Sequence, residues 1–404
     1  MLNRIKSFNI FSFLDSNGYR DQYSRYEWLA AVDALHAIKI DDGQSANLLE
    51  QFAQDHPGWL FGHMNYPDSS PDQVGFPAAY FFQPRILITC KENQVEIITQ
   101  DTDADEFLYS ILQTEPAETK TSFNCGSIRA SMPKEAYLRN MDLLRHHLQQ
   151  GDCYEINFCQ EFELDQVQLD SLDFYLSLMD ISPNPFSAWY RMEDMHCICA
   201  SPERYLQKTG NRLISQPIKG TARRQPEDKV LDDKISIELQ HSMKEKRENV
   251  MIVDLVRNDL SMVAARGSVR VSELMGLYRF PHVFQLISTV EATLTDSKNW
   301  IDALLNCFPM GSMTGAPKKR VMELIKTYES GPRGLFSGTI GYIDPERNFD
   351  FNVVIRSAFY HELKQIILLK AGGGITIQSE SESEYQESIL KLEAMLKLFK
   401  TIED

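Results

Sequence analysis

Gln216-Pro-Ile-Lys-Gly-Thr221 holds a lone lysine between a residue that fixes the backbone, Pro217, and one that frees it, Gly220. An amine held in this way can act as a nucleophile once its surroundings lower its pKa. Taken alone, Pro-x-Lys-Gly reads as a surface lysine in a turn. The reading changes with the segments that flank it on both sides.

Upstream stand Gly151-Asp-Cys-Tyr-Glu-Ile-Asn157 and Ser201-Pro-Glu203. Downstream, Lys244-Glu-Lys-Arg-Glu248 runs into Val253-Asp-Leu-Val-Arg-Asn-Asp259, followed by Phe308-Pro-Met-Gly-Ser-Met-Thr-Gly-Ala-Pro-Lys318. Gly338-Thr-Ile-Gly-Tyr342, Phe351-Asn-Val-Val-Ile-Arg356 and Ala371-Gly-Gly-Gly374 come next, the last leading to Glu384-Tyr-Gln-Glu387.

At 404 residues the chain is expected to form one large domain or two interlocked ones. Hydrophobic residues make up 43% and charged ones 24%, the balance of a soluble globular protein. A net charge of −16 argues against nucleic acid or a membrane surface as partner, and requires any anion site to be locally positive. No apolar run is long enough to span a membrane, and Met1–Leu14 does not read as a leader. The 7 cysteines are scattered with no Cys-x-x-Cys, which points to a reducing, cytoplasmic setting without structural disulfides.

Helical and strand patterns interleave, so pattern alone gives mixed α and β. Tyr137, Met141, Leu144 and Leu148 recur at helical spacing over Lys134–Gln150, with Gly151 as the stop. Tyr154, Ile156, Phe158 and Phe162 then alternate as in a strand, and Met192–Ser201 and Arg212–Ile218 also read as strands. The pattern predicts a long helix from about Asp232 to Val263 and a last one from Glu382 to about Thr401. A polar stretch at Glu115–Asn124 marks the expected boundary between an N-terminal region, 1–120, and a catalytic region, 121–404.

Two Glu-x-x-Glu pairs fall on predicted helices. Glu245 and Glu248 lie about 60° apart on a face that continues as Ile252 and Leu255, so they point inward. Glu384 and Glu387 share a face with Lys391, roughly opposite Ile389, Leu392, Leu396 and Phe399. Paired buried carboxylates call for a cation. An all-oxygen set suits Mg²⁺ better than zinc, whereas an isolated Glu-x-x-Glu is commonly just a solvated acidic face. Gly311–Pro317 can offer backbone N–H groups and hydroxyls to an anion, and Arg356 can make the bidentate fork that carboxylates favour.

In their order, these segments resemble the chorismate-utilising enzymes over residues 151–391; residues 1–120 match only loosely. The resemblance implies an α/β (α+β) fold, anthranilate synthase component I-like, of antiparallel β-sheets flanked by helices. It implies that Glu248 and Glu387 bind Mg²⁺ directly, that Glu245 and Glu384 do so through water or as support, and that the metal holds the ring carboxylate of chorismate. Arg356, Gly372, Gly373, Tyr342 and Lys391 would surround the substrate's two carboxylates, with Thr221 and Thr314 in the same shell. Glu203 would be the general acid that protonates the departing C4 hydroxyl.

Lys219 separates branches of that family. Where anthranilate is made the position is an alanine, leaving C2 open to ammonia. Where 4-amino-4-deoxychorismate is made, on the way to p-aminobenzoate and folate, it is this lysine, which attacks C2 and is later expelled by ammonia arriving at C4. Such a lysine must be neutral when it attacks, and Mg²⁺ with nearby cations would depress its pKa. No fused glutaminase pattern is present, so a separate glutamine amidotransferase subunit is expected to supply ammonia. The chain departs from the family pattern in three ways. Glu155 stands where many members have Gln. Gln285 aligns with a histidine near the ring, although His282 leaves that alignment open. The short N-terminal third lacks a recognisable tryptophan-binding signature. Anthranilate formation and non-catalytic chorismate binding remain as alternatives.

Overall fold

Alternation along the strand Trp28–Ile40 shows how the chain builds two cores from one sheet. Leu29 and Ala31 face a cluster that includes Tyr190, Cys197, Cys199, Leu206, Val290 and Phe351. Ala30 and Val32 face the opposite way, toward Trp189, Ile198, Phe174, Leu178 and Leu392. Residues two apart on a strand share a face, so both faces of this sheet are buried. The computed structural model describes residues 1–41, 45–68, 70–114 and 120–401.

The main ladder is antiparallel throughout. From Glu155–Leu164 it passes to Ile366–Ile375, Ser357–His361, Met195–Ser201 and Phe186–Met192. It continues through Ile10–Asp15, Trp28–Ile40, Ala79–Lys91 and Leu60–Met64. Thr339–Ile343, Phe349–Asn352, Arg204–Thr209, Arg212–Gln216 and Val283–Thr293 complete it. Helix Ser171–Ile181 covers one outer face through Phe174, Tyr175 and Leu178.

Strands from the first hundred residues are woven into this ladder. Ile10–Asp15 lies between Phe186–Met192 and Trp28–Ile40, and Leu60–Met64 pairs with Thr339–Ile343. Within the polar stretch expected to mark a boundary, 115–119 lie outside the described residues.

Helix Lys134–Gln150 forms where the spacing places it, burying Tyr137, Met141, Leu144 and Leu148 and ending at Gly151 with φ 78°. The long helix expected over Asp232–Val263 is instead two, Lys229–His241 and Met243–Ser261. They break at Ser242, whose hydroxyl accepts from the backbone N–H of Glu245 and caps the second helix. The last helix, Ser381–Leu396, also stops short of the expected end. Phe399–Thr401 leaves it as a strand and pairs in parallel with Phe123–Cys125. All the cysteines are buried and free, Cys197 and Cys199 on one face of their strand. Among the described residues no helix is long and apolar enough to cross a membrane.

Candidate active site

Strands Glu155–Leu164 and Ile366–Ile375 and helix Met243–Ser261 meet at Lys219. It lies in the strand Ile218–Arg223, whose pairing with Val283–Thr293 slips by a bulge between Ile218 and Thr221. Bulges re-aim side chains, and Gly220 within this one has φ 88°. A Cβ there would meet Glu245 Oε2 at 3.1 Å and Leu286 Cδ1 at 3.2 Å, so the strand needs glycine on both counts.

Lys219 Nζ is 3.3 Å from Glu155 Oε1 and 4.0 Å from Glu248 Oε2. Glu155 opens the strand Glu155–Leu164, opposite Ala316 on one side and one residue from Ile156, which pairs with Ile375, on the other. A Cβ on Gly374 would fall 2.5 Å from Glu155 Oε1 and 2.7 Å from Lys219 Nζ, so this glycine forms the floor under the pair.

Glu203 is buried between the strands Met195–Ser201 and Arg204–Thr209 rather than at a helix start. Burial pushes its carboxyl up to about 7, against the Ser312 hydroxyl, which donates to Oε1 at 2.7 Å, and against Lys219 and Arg356. Arg356 sits in the left-handed region at φ 52°, past the end of the strand Phe349–Asn352. Burial pushes its guanidinium down and Glu203 opposes that shift. No ion pair ties Arg356 to another described residue, so its fork stays available to an anion.

Burial pushes the Lys219 ammonium down as well, but Glu155, Glu248 and Glu203 together hold it above its usual value. The chain's own carboxylates favour the ammonium, whereas the depressed pKa expected from the sequence is that of the Mg²⁺-bound site. Three carboxylates face the amine, and the nearby Lys244 is shared between Glu248 and Glu387.

Helix Met243–Ser261 supplies half-buried Glu245 and Glu248, and helix Ser381–Leu396 supplies Glu384 and Glu387. Burial pushes Glu248 up to about 7 despite Lys219. Glu384 is also raised by burial, and it shares the buried stripe of Ser388, Leu392 and Met395 rather than the open face expected of it. Glu387 is held low: burial raises it, and Lys391 and Lys244 more than offset this. Lys391 Nζ lies 2.9 Å from Glu387 Oε1 and donates to the Gly372 carbonyl at 2.7 Å. A Cβ on Gly373 would come within 3.2 Å of Glu384 Oε2.

The donor set fits a hard cation, being oxygen throughout. Lys244 Nζ already sits 3.9 Å from both Glu248 and Glu387, a positive charge bridging the two helices. Among the described residues no three acidic, histidine or cysteine side chains converge as a ready metal cage. The acids are arranged around lysines instead.

Three sequence-predicted substrate residues lie differently from the rest. Tyr342 packs on Tyr26, Trp59 and Phe61 and lines a separate cleft with Arg25, Arg204 and Asp350. Thr314 is fully buried and donates its hydroxyl to the Met310 carbonyl at 3.0 Å, shaping its own loop. Thr221 is exposed, across the strand from Gln285. The glycine-rich loop spends the amides of Met313 and Thr314 on its own turns, and what it delivers to the site is Ser312. It is tied to the helix bearing Glu248 by Lys318–Asp259 at 2.7 Å.

Ser312, Gly374 and Lys244 were in the quoted motifs but carried no assigned role. Glu155 was visible only as a departure from pattern. Its place beside Lys219 depends on chain positions 64 residues apart.

A buried acid pushed up to about 7, a half-buried lysine and a guanidinium without an ion-pair partner among the described residues, ringed by carboxylates on two helices, make a site for chemistry on an anionic small molecule. The chain matches the chorismate binding enzyme family over residues 11–397 and belongs to it. Aminodeoxychorismate synthase component 1 of Bacillus subtilis (strain 168) is 30% identical over 84% of this chain and 74% of its own length. The protein of the same name from Escherichia coli (strain K12) is 38% identical over 67% of this chain and 58% of its own length. A probable chloroplastic aminodeoxychorismate synthase of rice is 37% identical over 66% of this chain. The chain thus spans 30% of the rice relative and under two thirds of the E. coli one. Among solved structures, anthranilate synthase component I from Streptococcus pneumoniae TIGR4 superposes with a TM-score of 0.80 at 24% identity, covering 93% of each chain. The menaquinone-specific isochorismate synthase from E. coli gives 0.80 at 17% identity, covering 98% of this chain and 90% of that one. The anthranilate synthase component I-like fold expected from the sequence is the fold observed.

Proposed function

We propose that this chain converts chorismate and ammonia to 4-amino-4-deoxychorismate, the ammonia coming from a glutamine-hydrolysing partner subunit. The observation that carries the reading is the placement of Glu203 near Lys219. A half-buried amine and a buried acid whose carboxyl is pushed up to about 7 are within each other's electrostatic reach. The curated relatives named aminodeoxychorismate synthase support the same branch.

In this reading the neutral Lys219 amine forms a bond to C2 while the C4 hydroxyl leaves as water with the Glu203 proton. Ammonia then bonds to C4, the C2–N bond breaks, and its electron pair returns to Lys219. The surplus proton on the new C4 ammonium restores Glu203. Arg356 would hold one substrate carboxylate and Lys391 would help hold the other. Glu248 and Glu387, supported by Glu245 and Glu384, are the residues that would hold Mg²⁺. Bound there, the cation would supply positive charge to the ring carboxylate and offset that of Glu248. Lys219 must lose its proton before it attacks, and substrate and cation binding must change the charge balance that now favours the ammonium.

Chromatography of the products formed from chorismate, ammonium chloride and Mg²⁺ tests this directly. A C4-aminated product supports it; anthranilate, or no consumption of chorismate, removes it.

A further inference from the structure

Glu155 has one carboxylate oxygen that the chemistry above leaves unused. The residue is 2% exposed. Oε1 serves Lys219 at 3.3 Å, while Oε2 is enclosed and meets no hydrogen-bond donor among the described residues. Atoms buried so deeply nearly always have a partner, and a carboxylate oxygen is among the costliest to leave without one. The backbone holds it in place: Glu155 is opposite Ala316 on one edge, and on the other the next two residues pair with Ile375 and Gly374. Gly374 brings no side chain into the space beside Oε1 and Lys219 Nζ. The site thus holds a fixed, desolvated acceptor on the same side chain that contacts the nucleophile.

We propose that Glu155 Oε2 docks the nitrogen co-substrate, ammonia or ammonium, beside Lys219. The proposal rests on the reading of the chain as a C4-aminating enzyme. A molecule whose only polar bonds are N–H needs acceptors, and an ionised carboxylate offers nothing else. Hydrogen bonds to such an oxygen are the stronger, charge-assisted kind. With Oε1 on Lys219 and Oε2 on the co-substrate, one side chain fixes the group to be expelled and the nitrogen that expels it. Once the nitrogen is ammonia, its lone pair, engaged by no donor, is left for C4. A glutamine here would keep its oxygen for Lys219 and turn an N–H toward the incoming nitrogen, where only an acceptor serves.

The test is the rate of 4-amino-4-deoxychorismate formation by the purified chain, with ammonium chloride varied at saturating chorismate and constant ionic strength. Glu155→Gln should raise the KM for ammonium tenfold or more and leave that for chorismate within twofold. An unchanged KM for ammonium with a reduced kcat overturns the proposal and leaves Glu155 as a residue that orients Lys219. A second readout follows the chorismate adduct by intact mass. Glu155→Gln should still load the adduct and discharge it only at tenfold higher ammonium; discharge at wild-type concentrations overturns the proposal. Should Glu155→Gln fail to fold, Glu155→Asp, which keeps the charge but shortens its reach, is held to the same KM criterion. Failure of the underlying reading is distinguishable, because the wild-type chain would then give no C4-aminated product at all.

Discussion

Ser312 Oγ lies 2.7 Å from Glu203 Oε1 and donates to it, joining the glycine-rich loop to the acid that sits between two strands more than a hundred residues earlier. A donor on a carboxylate favours its charged form, so Ser312 restrains the upward shift that burial imposes. The bond therefore tunes where the acid titrates and fixes which way its proton points.

The pH dependence follows from that pair. A general acid must be protonated to act, so kcat should fall as pH rises through about 7, where Glu203 titrates. Ser312→Ala removes the donor, raises the Glu203 pKa and should move this basic limb to higher pH. Glu203→Gln should lose roughly 10²–10⁴ in kcat. A limb that moves to lower pH in Ser312→Ala would contradict the assignment.

Metal dependence follows from the acids on the two helices. Excess chelator should abolish turnover. Glu248→Gln and Glu387→Gln should each weaken the apparent affinity for Mg²⁺ by roughly tenfold or more, with little change in melting temperature. Calorimetric titration of Mg²⁺ in the presence of chorismate checks this apart from turnover. Full activity in chelator, or wild-type behaviour of both variants, would remove the cation from the account.

Gly374→Ala places a methyl group 2.5 Å from Glu155 Oε1 and 2.7 Å from Lys219 Nζ, so both side chains must move. Displacing a reacting group by about 1 Å costs on the order of 10²-fold in rate, and kcat should fall by that factor while circular dichroism stays unchanged. A normal kcat would show that the lysine does not need the position it occupies.

What could be read from the sequence divides along local and non-local lines. Helix Lys134–Gln150 was legible because its apolar spacing and its Gly151 stop are both local. The break at Ser242 left a local signal too, Ser242 followed three residues on by Glu245, which marks a helix start. The strand at Phe399 did not, since its partner Phe123 lies far away in the chain. Motif order assigned Lys219, Glu203, Arg356 and the four helical acids to one site, because each motif is short and self-contained. The packing of Tyr342 was not legible because its ring partners, Tyr26, Trp59 and Phe61, belong to the N-terminal third, where the family pattern is faint. The charge that the chain alone gives Lys219 was not legible for a related reason. It is set by Glu155, which no local rule brings next to it.

The central claim is that Lys219 bonds to C2 and thereby directs ammonia to C4. Products formed from chorismate, ammonium chloride and Mg²⁺ by the wild-type chain and by Lys219→Ala should be separated by chromatography, with intact-mass analysis for an adduct on Lys219. The account predicts 4-amino-4-deoxychorismate and a trappable adduct from the wild type. From the alanine variant it predicts near-complete loss of that product, with chorismate binding retained and some C2-aminated product formed in the opened space. Undiminished 4-amino-4-deoxychorismate from Lys219→Ala, or anthranilate from the wild type, would contradict it.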